Sequence, residues 1–74
     1  MTGLENLDPN VKRQFTGAYG PFVAGDYAIG DQVHTVGKSG EVVWSYQAKR
    51  GLTYVIDDHS GWPAEVLARR VISK

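Results

Sequence analysis

The chain has 74 residues, with eight Lys plus Arg against eight Asp plus Glu, a formal net charge of zero, 42% apolar residues and no cysteine. That balance is too apolar and too weakly charged for a disordered chain, and it offers neither a disulfide framework nor a thiolate nucleophile. It contains no run near the roughly 18 apolar residues that a membrane span needs, and zero net charge argues against a general nucleic-acid coat protein.

One small domain is all that this length supports. Such a domain buries only about 60% of its unfolded surface, so closure of a sheet and self-association are the stabilisers to expect. The segment Met1 to Pro9 is too polar for a signal peptide, and a cytoplasmic protein, or one carried by a phage or plasmid host, is expected.

Composition shifts at about Gly25. Residues 1–24 read as an N-terminal arm, and Leu7-Asp8-Pro9-Asn10 is a helix start with Asp8 as N-cap and Pro9 at the first helical position. A short helix from Pro9 to Phe15 is predicted, ended by Gly17. It is below the length at which an isolated helix holds in water. The stretch Gly17 to Phe22 is rich in Gly, Pro and aromatics. Two readings follow: a flexible arm, or docking of Phe15, Tyr19 or Phe22 onto the body or a neighbouring subunit.

From residue 25 to 74 the pattern is β. Asp31 to Val36 alternates and enters a turn at Gly37-Lys38-Ser39-Gly40. Glu41 to Gln47 is a strand with Val42, Trp44 and Tyr46 expected on one face. Ala48-Lys49-Arg50-Gly51 is a hairpin connection. Leu52 to Asp57 is a third strand with Leu52, Tyr54 and Ile56 on one face. A turn at Asp58-His59-Ser60-Gly61 leads to a short strand, Trp62 to Val66, whose proline suits an edge or a strand start. Leu67 to Arg69 reads as one turn of 3₁₀ helix before a last strand, Arg70 to Ser73. Five short, evenly spaced strands with Gly-marked turns predict an all-β fold, a five-stranded SH3-like small barrel with a flexible N-terminal arm.

The run Ile29-Gly30-Asp31-Gln32-Val33, followed by Gly40-Glu41-Val42-Val43, resembles the opening of bacterial SH3-like and KOW-type barrels. From Tyr27 to Arg70 the chain is also similar to the plasmid-borne type II dihydrofolate reductase family. Gly30-Asp31-Gln32-Val33 resembles the family's Gly-Asp-Arg-Val, and Gly40 to Tyr46 resembles its Gly-Gln-Ile-Val-Gly-Trp-Tyr strand. Tyr54-Val55-Ile56-Asp57 sits where the family has Tyr-Ala-Val-Glu, and Trp62 to Leu67 resembles Tyr-Pro-Val-Ala-Ala-Leu. The resemblance implies an SH3-like barrel, a homotetramer around a central pore, and NADPH as cofactor. The family's pore stretch, Val-Gln-Ile-Tyr, reads His59-Ser60-Gly61-Trp62 here, so the pore motif is not kept. The family's phosphate-attracting basic residue has its nearest counterpart in Lys38. Under this resemblance His34, Thr35, His59, Ser60, Gly61 and Trp62 would line the pore.

Three functions are left open, the second of them as what the resemblance implies. The first is a small non-enzymatic binding or accessory module, self-associating as a dimer or tetramer, with an unknown protein or small-molecule ligand and no cofactor. The second is the NADPH-dependent reductase. The third is a KOW-like nucleic-acid binder, in which Lys49 and Arg50 form a local basic face and Trp62 or Tyr46 stacks on bases. Lys12-Arg13 and Arg69-Arg70 are further basic pairs. In Asp57-Asp58-His59-Ser60 the Asp and Ser are usual turn residues, since their side chains bond the nearby backbone. Adjacent residues on a tight turn rarely assemble a catalytic triad, and no third metal ligand accompanies His59. Neither catalytic nor metal-ligating residues are therefore expected.

Overall fold

In the computed structural model, which describes residues 4–59 and 61–73, a 3₁₀ turn at Leu4–Asn6 precedes the helix α1, Pro9–Tyr19. The Asp8 side chain accepts a hydrogen bond from the Asn10 amide at 2.8 Å, with proline in the first turn behind it. The helix passes the stop expected at Gly17 and ends at Gly20, which has φ 113°. A helical glycine costs about 1 kcal/mol. The packing of Phe15 and Tyr19 on the sheet, described below, offsets that cost.

Five antiparallel strands follow: β1 (Gln32–Thr35), β2 (Lys38–Ala48), β3 (Gly51–Asp57), β4 (Pro63–Leu67) and β5 (Val71–Ser73). A 3₁₀ turn at Ala68–Arg70 joins the last two. The sheet order is β4-β3-β2-β1-β5, and the sheet curls into a half-barrel. This is the all-β small-barrel class expected from the pattern, and it is compatible with an SH3-like barrel.

Two local expectations are corrected. The turn predicted over residues 37–40 is only Val36-Gly37, because Lys38 and Ser39 already pair with Thr35 and His34. Gly37 supplies the left-handed φ, 81°, that lets so short a connection close. The second correction concerns Trp44 and Tyr46. The β2–β3 register shifts between Val42 and Trp44, so Val42 lies opposite Ile56 whereas Trp44 lies opposite Val55 and Tyr46 opposite Thr53. One extra residue in a strand turns every later side chain to the other face. Trp44 and Tyr46 therefore share the face of Val55, away from Val42.

Both faces of the central strands are consequently covered. Inside the curl, Val33, Val42, Tyr54 and Ile56 form the core, with Leu52, Ala64, Val66 and Val71 packed against it. Leu52, Tyr54 and Ile56 thus take the common face expected of them. On the opposite face Trp44 and Val55 are equally buried, and the N-terminal segment packs on Trp44 and Tyr46. Phe15 stacks on Trp44, Phe22 meets the same indole edge-on, and Tyr19 stacks on Tyr46 at 5.5 Å. The Trp44 Nε1 donates to the Gly20 carbonyl at 3.1 Å. Val23 donates its amide to Ser45 O at 3.0 Å, and the Ser45 hydroxyl donates back to Val23 O at 2.7 Å. Of the two readings of the N-terminal aromatics, docking onto the body is the arrangement found.

Candidate functional site

The curl brings the Thr35–Lys38 hairpin end, the Gly51 end of β3 and the 3₁₀ turn to one place. Thr35 pairs with Val71, directly after that turn, and Thr53 pairs with Leu67, directly before it. The result is an open cleft of about 680 Å³. Its apolar wall consists of Val36, Val66, Leu67 and Ile72, of which Val36 is 87% and Ile72 64% exposed.

Around that wall stand four basic side chains, Lys38, Arg50, Arg69 and Arg70, and one carboxylate, Glu65. The Tyr46 hydroxyl, also in the cleft, donates to Glu65 Oε1. This hydrogen bond, with desolvation behind it, pushes the Tyr46 phenol up to about 12. The phenol is thus held neutral, and the carboxylate has a neutral donor on one oxygen. The remaining field of the cleft is positive, suited to carboxylate or phosphate groups that match the guanidinium fork.

Of the candidate residues, Thr35, Lys38 and Arg50 line this cleft. Lys49 is exposed in the turn beside Arg50 and does not line it. His34 is exposed on β1 opposite Ser39, also outside the cleft. His59, Gly61 and Trp62 belong to the β3–β4 turn, and Ser60 lies outside the described residues. There His59 has φ 67° and Gly61 φ 96°. The Asp57 carboxylate accepts from the His59 backbone amide at 2.9 Å, which makes it a turn cap. Trp62 is 79% exposed. It stands at the Asp57↔Pro63 end of the β3–β4 ladder, six residues along β3 from the Gly51 end where Arg50 sits.

Arg69, Arg70 and Glu65 also line the cleft, and none of them is among the site residues expected from the sequence. The Arg69-Arg70 pair was visible after a predicted 3₁₀ turn, but its facing the hairpin end at Lys38 depends on how far the sheet curls. Comparison with protein families, with curated proteins and with solved structures finds no match. Among the described residues no group of three or more His, Asp or Glu gathers as a metal site, and no helix is long and apolar enough to cross a membrane.

Proposed function

We propose that the chain is a small binding module without enzymatic activity, self-associating, whose ligand-accepting surface is the basic cleft. The observation that carries this reading is the gathering of Lys38, Arg50, Arg69 and Arg70 around an apolar wall. A cleft of this volume falls in the ordinary range of ligand pockets. Its chemistry selects a ligand that combines acidic groups with apolar surface. The nucleic-acid reading shares the cations, but single strands also need a stacking platform. Here the Tyr46 ring is already stacked on Tyr19, and Trp62 is at the far end of β3. The reductase reading, with NADPH, rests on the scaffold resemblance; among the described residues Thr35 of its expected pore residues lines the cleft, as does Lys38, its expected phosphate-attracting residue, whereas His34, His59, Gly61 and Trp62 do not.

A titration followed by amide chemical shifts tests the proposal, using oligo-glutamate, oligothymidylate and NADPH with dihydrofolate as probes. Oligo-glutamate at low salt should move the amides of Lys38, Arg50, Arg69 and Arg70, and added salt should suppress the effect. Replacing Arg69 and Arg70 by Gln should weaken binding about tenfold or more. Silence of those amides toward every anion at low salt would remove the proposal. Oxidation of NADPH with dihydrofolate would replace it by the reductase reading.

A further inference from the structure

The charges of this chain balance in number but not in place. In the β2–β3 ladder Glu41 lies directly opposite Asp57, and both are exposed. Like charges directly opposite one another in a sheet are destabilising, so this end carries a repulsion that nearby cations would relieve. The exposed Trp62 ring belongs to the adjoining turn, beside the Asp57↔Pro63 pair. At the Gly51 end of β3, about 20 Å of strand away, Arg50 joins Arg69 and Arg70 on the cleft. The Asp57 end of β3 thus offers two carboxylates and a large aromatic. The cleft, whose Lys38 stands three residues along β2 from Glu41, offers cations and an apolar wall with Val36 and Ile72 on its surface.

We infer that the acidic end of one copy docks in the basic cleft of the next, so that copies associate head to tail. The inference deepens the proposed function and rests on its reading of the cleft as the ligand-accepting surface. A second copy is the occupant that these charges select. Each copy carries both halves of the match, and a domain this small gains from covering its exposed Trp62, Val36 and Ile72. Carboxylates meeting Arg69 and Arg70 form forked, charge-assisted hydrogen bonds. An indole against a guanidinium adds a cation–π contact. Two different patches meet in such an interface, so it does not end at a dimer: it closes into a ring or extends with concentration. Salt weakens it, since the charges are exposed.

Sedimentation velocity tests this with two charge-neutralised chains. Glu41→Gln with Asp57→Asn neutralises the acidic end and keeps an acceptor for the His59 amide; Arg69→Gln with Arg70→Gln neutralises the cleft. The native chain should associate at low salt, and each variant alone should need about tenfold more protein to do so. Mixed, the two variants should form a one-to-one dimer that does not extend, because only one intact acidic end and one intact cleft remain. A chain carrying Glu41→Lys, Asp57→Lys, Arg69→Glu and Arg70→Glu together should associate again. Thermal melts by circular dichroism check that each variant is folded. Association of the acidic-end variant at native strength would overturn the inference, as would a native chain that stays monomeric at low salt. If oligo-glutamate still moves the cleft amides when the native chain is monomeric, the head-to-tail inference and self-association fall while the cleft stays the ligand-accepting surface; if no anion does, the binding-module reading falls with them.

Discussion

The ring of Phe15 lies nearly parallel to that of Trp44, 16° between planes and 5.3 Å between centroids, across 29 residues of sequence. This contact ties the first helix to the centre of the sheet. Trp44 is 1% exposed, and its burial on that face comes from Phe15, Phe22 and the Gly20 carbonyl. The arm is therefore part of what holds the barrel together.

Phe15→Ala should accordingly destabilise the chain by about 2 kcal/mol, less than the roughly 3–5 of a fully buried phenylalanine because Phe15 keeps some exposure. Urea unfolding gives the loss, and acrylamide quenching of Trp44 fluorescence should rise with it. An unchanged midpoint would mean that the helix contributes nothing to the body.

The two tryptophans should also separate spectroscopically. Trp44 is buried, and Trp62 is 79% exposed. Trp62→Phe should remove the red-shifted, readily quenched part of the emission and change stability by less than about 1 kcal/mol. Trp44→Phe should remove the blue component and cost stability, since a smaller ring leaves part of its site unfilled. Equal quenching in both single-tryptophan chains would contradict the sheet register that places Trp44 opposite Val55.

Gly40 is buried where β2 runs beside the end of β3, and a Cβ there would come 2.6 Å from the Asp57 carbonyl oxygen and 2.9 Å from its carbon. The neighbour is backbone already committed to the sheet, so it cannot give way cheaply. Gly40→Ala should cost about 2–3 kcal/mol through overpacking, read as a lower thermal midpoint. Gly17→Ala, with nothing within 4 Å of the added atom, should instead stabilise α1 by about 1 kcal/mol. The sign difference between two identical substitutions is the measurement.

Much of this fold was legible in the residues, and the parts that were not have identifiable causes. Alternation and Gly-marked turns place all five strands within a few residues, because period-two burial and the demand for positive φ at Gly37 and Gly51 are local properties. The bulge at Val43 was not legible. Val42-Val43-Trp44-Ser45-Tyr46 reads as perfect alternation with either residue inward, and only the pairing with β3 decides it. That single extra residue moved Trp44 to the face that α1 covers. The cleft was half legible for a similar reason. Lys38 and Arg50 stand out as turn cations, whereas their meeting with Arg69 and Arg70 depends on closure of β5 onto β1.

Tyr46 and Glu65 give the last prediction, a pH dependence with a definite sign. The phenol ionises at 10.0 when unperturbed and near 12 when folded, chiefly because it donates to Glu65. A raised folded pKa means that the folded chain holds the proton more tightly than the unfolded one. Below pH 10 both states keep it, and the bond contributes in full. Between about 10 and 12 the unfolded chain gives up its proton first, so the contribution shrinks; above 12 it is gone. The native protein should therefore melt higher than Tyr46→Phe at neutral pH, and the gap should close as pH rises from 10 to 12. Groups that titrate in both chains cancel in the difference. In Glu65→Ala the Tyr46 phenol should titrate closer to 10 by ultraviolet difference absorbance. A gap between native and Tyr46→Phe that stays constant from pH 9 to 12 would show that the hydroxyl does not hold its proton for Glu65.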